Sequence, residues 1–141
     1  MQVLFDRYFY ITCAIRLLLR HYAYLLLGHE LVLQNEFESA VQCFRNALKV
    51  RPRLINALLG IGEVYMKEEY FKNASQVYQI ALKYVPKSPT VWSNVGRAYY
   101  ELANHQMALK CFEKVIHFKD ISTRFFSVRS SLYTDNTFGI L

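Results

Sequence analysis

From His21 to about residue 118, apolar residues return at helical spacing in six stretches divided by short polar breaks. In the first stretch Tyr24, Leu27, Gly28 and Leu31 share one face of a helix. Leu58, Ile61, Gly62 and Tyr65 repeat that face, and Trp92, Val95, Gly96 and Tyr99 repeat it again. The stretches between them carry Ala40, Phe44 and Ala47, then Ala74, Tyr78 and Ala81, then Ala108, Phe112 and Val115. This periodicity predicts helices at 22–34, 37–50, 55–67, 71–84, 90–102 and 105–118. Breaks fall at Asn35, at Glu69 and at Ala103 to Asn104. Pro52 and Pro86 stop the second and fourth helices, and Ser88 before Pro89 reads as an N-cap with proline at the first helical position.

The faces recur at a fixed interval. Gly28, Gly62 and Gly96 are 34 residues apart, as are Ala40, Ala74 and Ala108, and so are Pro52 and Pro86. A period of 34 with these residue types resembles the tetratricopeptide repeat (TPR), two antiparallel helices per unit. The fold that follows is all-α: an α-solenoid of antiparallel helix pairs, a TPR superhelix. Three full repeats cover 21–54, 55–88 and 89–120, flanked by a partial repeat or helix over 1–20 and a tail or partial capping helix over 121–141. Close approach of two helices needs small side chains, so the eighth-position glycine and the twentieth-position alanine are expected to face each other within each hairpin. Leucine at Ala40 or Ala74 should overpack that contact by about 1–3 kcal/mol. Leu18 and Asp120 stand where the period would place proline, so both ends of the array depart from the pattern.

Composition agrees with a packed helical domain: 53% hydrophobic, 20% charged, five Gly and three Pro in 141 residues. The net charge of +6 raises nucleic acid as a partner, but the basic residues are scattered along the sequence with no run, and a solvated surface is expected instead. The three cysteines lack metal-type spacing; Cys43 and Cys111 occupy one site in two repeats that do not touch, so they read as free thiols. Residues 8–19 are mostly apolar but bounded by Asp6 and Arg20 and interrupted by Arg16. That stretch is too short and too charged to span a membrane, and it is expected to pack on the first repeat.

Catalytic chemistry finds no footing. There is no phosphate-binding glycine loop and no metal-ligand pattern, so neither cofactor nor metal is expected. His29 and Glu30 are adjacent on a helix and point about 100° apart, which denies them a shared site. The first helix of each hairpin should instead line a concave groove. Its inward positions are Tyr22, Leu25, Leu26, His29, Val32 and Leu33 in the first repeat, Asn56, Leu59, Gly60, Glu63, Met66 and Lys67 in the second, and Thr90, Ser93, Asn94, Arg97, Tyr100 and Glu101 in the third. The groove grades from apolar to charged, which suits a peptide with an apolar anchor and a charged neighbour.

A more specific likeness lies in Tyr22-Ala-Tyr-Leu-Leu-Leu-Gly-His-Glu30 and in Gln42-Cys-Phe-Arg-Asn-Ala47. These segments, with Gly60-Ile-Gly-Glu-Val-Tyr65, resemble the cell-division-cycle TPR scaffold subunits of the anaphase-promoting complex, the cyclosome. The resemblance implies a non-catalytic scaffold within a ubiquitin ligase acting in mitosis, nuclear or cytoplasmic. Its partners would be other subunits or a coactivator-like C-terminal Ile-Arg tail, with no nucleic acid and no membrane. Homodimerisation would be expected only within a longer chain. The alternative is a generic TPR adaptor or a co-chaperone-like peptide-binding module. That second role needs Lys and Asn at Leu25, His29, Gly60, Thr90 and Asn94, where only Asn94 is of the right type.

Overall fold

A computed structural model describes residues 2–138 and shows six helices and no strand among them. They are α1 (Gln2–Leu33), α2 (Phe37–Val50), α3 (Ile55–Lys67), α4 (Phe71–Tyr84), α5 (Pro89–Glu101) and α6 (His105–Phe138). Each odd helix pairs with the next as an antiparallel hairpin, and the hairpins stack in chain order.

The turn inside every hairpin is the same device. Asn35, Glu69 and Ala103, one period apart, hold left-handed backbone at φ 62°, 64° and 59°. The next amide reaches back five residues, from Glu36 to Leu31, Tyr70 to Tyr65 and Asn104 to Tyr99, at 2.9, 2.8 and 2.9 Å. The left-handed residue's own amide bonds three residues back, so both loose carbonyls of the helix end are satisfied. Between hairpins, the prolines hold the chain out of helix. Ser88 sits at the N-cap position of α5, but its side chain makes no capping bond, so Pro89 at the first helical position starts that helix. Asn104 does cap α6, its Oδ1 accepting the Met107 amide at 3.2 Å.

Two clusters form the core. Leu25 and Val32 of α1, Ala40, Phe44 and Ala47 of α2, and Ala57, Ile61 and Val64 of α3 make the first. Leu58, Ala74, Tyr78, Ala81, Val91, Val95, Ala98 and Cys111 make the second. The glycines also make room for a large neighbour that the period alone does not name. A Cβ on Gly28 would meet the Phe44 ring at 2.6 Å, and one on Gly62 would run into the Tyr78 ring. The missing side chain makes room for the aromatic at the twenty-fourth position, and Ala40, Ala74 and Ala108 are buried as well. A Cβ on Gly60 would meet the same Phe44 ring at 2.5 Å, so one ring fills the space left by glycines of two hairpins.

Both terminal helices are longer than the periodicity predicts. With Leu18 and Asp120 in place of proline, nothing breaks the backbone ladder. Residues 2–20 continue α1 without a break and leave Tyr8, Ile11, Ile15, Leu18 and Leu19 exposed; packing of this segment onto the first repeat is not what the structure shows. The length argument against a membrane span therefore falls, since Asp6–Leu33 is long and apolar enough to cross one by length and composition. The same helix gives Leu25 and Val32 to the core, however, and crossing would strip the first hairpin of that face. At the other end α6 runs past Asp120, with Ser122 and Thr123 hydroxyls donating back to the Phe118 and Lys119 carbonyls at 2.9 and 2.8 Å.

Candidate peptide-binding groove

The groove residues read from the sequence divide into three sets. In the first repeat Tyr22 and His29 are exposed, and the His29 ring stands edge-on to Phe44 with centroids 5.2 Å apart. Leu25 and Val32 are not groove residues: at 5% and 4% exposure they belong to the first core cluster. The cause is their place on the α1 face that also carries His21 and Gly28, both buried. Gly60 is likewise a packing position. Asn56 is exposed, and Leu59 is half-buried against the second cluster.

The second set is a charged cleft of about 390 Å³ between the second and third hairpins, lined by Glu63, Met66, Lys67, Glu69, Phe71, Arg97 and Glu101. Five residues read from the sequence as groove-lining, Glu63, Met66, Lys67, Arg97 and Glu101, meet here. Glu63 and Arg97 occupy one position in successive repeats, as do Lys67 and Glu101, so stacking brings each pair across the seam. Glu69 and Phe71 escape helix periodicity because they lie in the turn and the start of α4; the left-handed Glu69 folds the chain back towards the cleft.

Beneath the cleft, Tyr78 is almost wholly buried. Burial pushes its hydroxyl above the ordinary value of 10.0, the Arg97 guanidinium beside it opposes the rise, and the Glu63 carboxylate adds to it. A neutral phenol thus stays at the cleft floor in contact with the cation. The third set, Thr90, Ser93 and Asn94, lies apart in a recess with Val115 and Lys119 of α6. Asn94 therefore does not share the cleft of Glu63 and Arg97. Among the described residues no cluster of His, Cys, Asp and Glu could hold a metal ion.

Two family models match the chain, described as TPR repeat over residues 28–69 and as tetratricopeptide repeat over 89–118. The chain belongs to the tetratricopeptide repeat family. Among curated proteins, the TPR chain is 50% identical over 48 residues to the cell division cycle protein 27 homolog of Caenorhabditis elegans, covering 34% of this chain and 6% of that protein. It is 46% identical over 46 residues to anaphase-promoting complex subunit 3 of Schizosaccharomyces pombe, covering 33% and 7%. The chain thus spans under a tenth of either relative. Solved TPR structures share the fold. MamA superposes with a TM-score of 0.70 at 20% identity, over 74% of this chain and 61% of that one. The first TPR of Spaghetti (RPAP3) bound to the HSP90 peptide SRMEEVD superposes at 0.67 and 15% identity, over 81% and 94%. The chain is a TPR protein-interaction module.

Proposed function

We propose that this module is a non-catalytic scaffold segment of an anaphase-promoting complex subunit, acting in the nucleus or cytoplasm during cell division. It would hold the C-terminal tail of a protein partner in the cleft between its second and third hairpins. The observation that carries this reading is the local identity of 50% with the cell division cycle protein 27 homolog, set against only 20% with MamA of the same fold. The shared fold alone does not require that likeness.

The cleft chemistry supports a tail that ends in an apolar residue followed by arginine. Glu63 and Glu101 offer carboxylates to the arginine side chain, and Arg97 offers a guanidinium to the terminal carboxylate. Met66 and Phe71 supply apolar wall beside them. A carboxylate clamp of the co-chaperone kind finds less support, because Leu25 is buried and Gly60 is closed off by Phe44.

Titration with a short peptide ending in Ile-Arg, against the same peptide amidated at its C-terminus, tests the tail mechanism. Tighter binding of the free acid is expected, and Arg97→Ala should abolish the difference. Equal affinity for both peptides would refute the mechanism. Co-purification of ubiquitin-ligase subunits with the chain from its own cells tests the assembly.

A further inference from the structure

The basic residues are scattered in sequence but not in space. Every turn between hairpins lies along one long edge of the array, and every turn within a hairpin lies along the other. Lys49 and Lys83 end α2 and α4 one period apart; Arg53 and Lys87 follow in the turns, also one period apart. Arg51 and Lys119 are two periods apart at the same edge. All six side chains are exposed. The opposite edge carries Glu36, Glu38, Glu68, Glu69 and Glu101. The structure has thus sorted its charge into a cationic edge and an acidic edge.

The cationic edge is unspent. Among the described residues there is one ion pair, Arg124 with Asp120 at 3.4 Å. It also removes the carboxylate nearest Lys119 in sequence. None of the six edge cations has an acidic side chain within ion-pair distance. Arg51 is instead oriented by the ring of His21, 3.4 Å away, and Arg53 lies over the Tyr84 ring at 5.8 Å. Val50, Arg51, Pro52 and Arg53 line a shallow recess of about 330 Å³ at the first of these turns.

We infer that this edge is a docking surface for an acidic, extended segment of a partner protein, distinct from the cleft between the second and third hairpins. Packed helices sit about 8–10 Å apart, and an extended chain advances about 3.3 Å per residue, so an acidic residue at every third position meets each rung of the ladder. Single-stranded nucleic acid offers the same sign of charge but also needs aromatic faces for its bases. Here two of the rings near these turns are already occupied, Tyr84 by Arg53 and Trp92 by Lys114 at 5.2 Å, which leaves Tyr22 beside His21 as an exposed one. The acidic edge and the glutamates of the cleft further oppose a polyanion that wraps round the array.

Fluorescence anisotropy with a short labelled peptide, glutamate at every third position and both ends blocked, tests the inference without offering the cleft a terminal carboxylate. The parental chain should bind it at low salt, and Arg53→Glu with Lys87→Glu should weaken binding about tenfold. Lys72→Glu with Lys110→Glu, an equal charge change away from this edge, should weaken it less than about twofold. Circular dichroism of both variants checks folding, and Lys49→Glu with Lys83→Glu provides a second edge pair. Equal losses in both kinds of variant would reduce the effect to net charge and overturn the inference. So would failure of the parental chain to bind the peptide, or tighter binding of a single-stranded RNA of matched charge.

Discussion

At the scale of single residues, the decisive atoms are those that are missing. Gly62 leaves room for the Tyr78 ring, and a methyl group there has nowhere to go. Gly62→Ala should cost about 1–3 kcal/mol by overpacking, less the helix propensity it gains. At Gly96 the nearest ring atom is 2.9 Å from the new Cβ, the next 3.1 Å, and Gly96→Ala should therefore cost less. Urea unfolding of the two variants should rank them in that order. The left-handed turns point the other way. Ala103 at φ 59° bears a steric penalty that glycine escapes, so Ala103→Gly should stabilise by roughly 0.5–1 kcal/mol, seen as a higher urea midpoint. Much of this scale was legible in the sequence. The period located the glycines and the turn residues, but not the partner that each glycine admits. That partner depends on how far α2 and α4 rotate about their axes, which side-chain packing decides.

Elements follow the same division. Four helices fall where apolar periodicity predicts, α2, α3 and α4 to the residue and α5 within one, because each lies between a closing turn and a proline. The outer two do not, because a period says where a stop belongs and not what happens without one. Asp120 sits at the stop of the third repeat and permits the helix to run to Phe138. Asp120→Pro should restore the stop. Helical circular dichroism should fall by the turns beyond residue 118, while the cooperative melt of the array barely moves, since residues 119–124 are exposed and pack on nothing. A melt that collapsed would mean that the extension supports the array.

At the scale of the whole molecule, the groove read from helix faces became one charged cleft, one separate recess and one buried leucine. Glu63, Lys67, Arg97 and Glu101 share one cleft because stacking carries equal positions into line. Leu25 and Asn94 do not join it because α3 and α6 cover faces that one hairpin alone would leave open. The charged edges escaped a linear reading for the same reason: the ladder exists only after folding. The packed thiols and the phenol set the response to alkali. Burial raises Cys43 and Cys111 above 9.0, the latter opposed by Lys114, and it raises Tyr78 above 10.0. Their protonated forms suit the fold, so stability is full below pH 9 and declines as the unfolded chain ionises first at higher pH. The urea midpoint should fall between pH 8 and pH 10.5, and Tyr78→Phe should flatten the upper part of that decline.

The Phe44 ring gives the molecule a mechanical asymmetry. It fills space that glycines of both the first and the second hairpin leave open, and so ties the two together. The next seam lacks that tie, because Asn94 stands where Gly60 stood. Bending of the spiral is thereby directed to the second joint, where Glu63 and Arg97 lie on opposing banks. Under the proposed function, a visiting tail would meet jaws hinged at their own gap rather than a fixed socket.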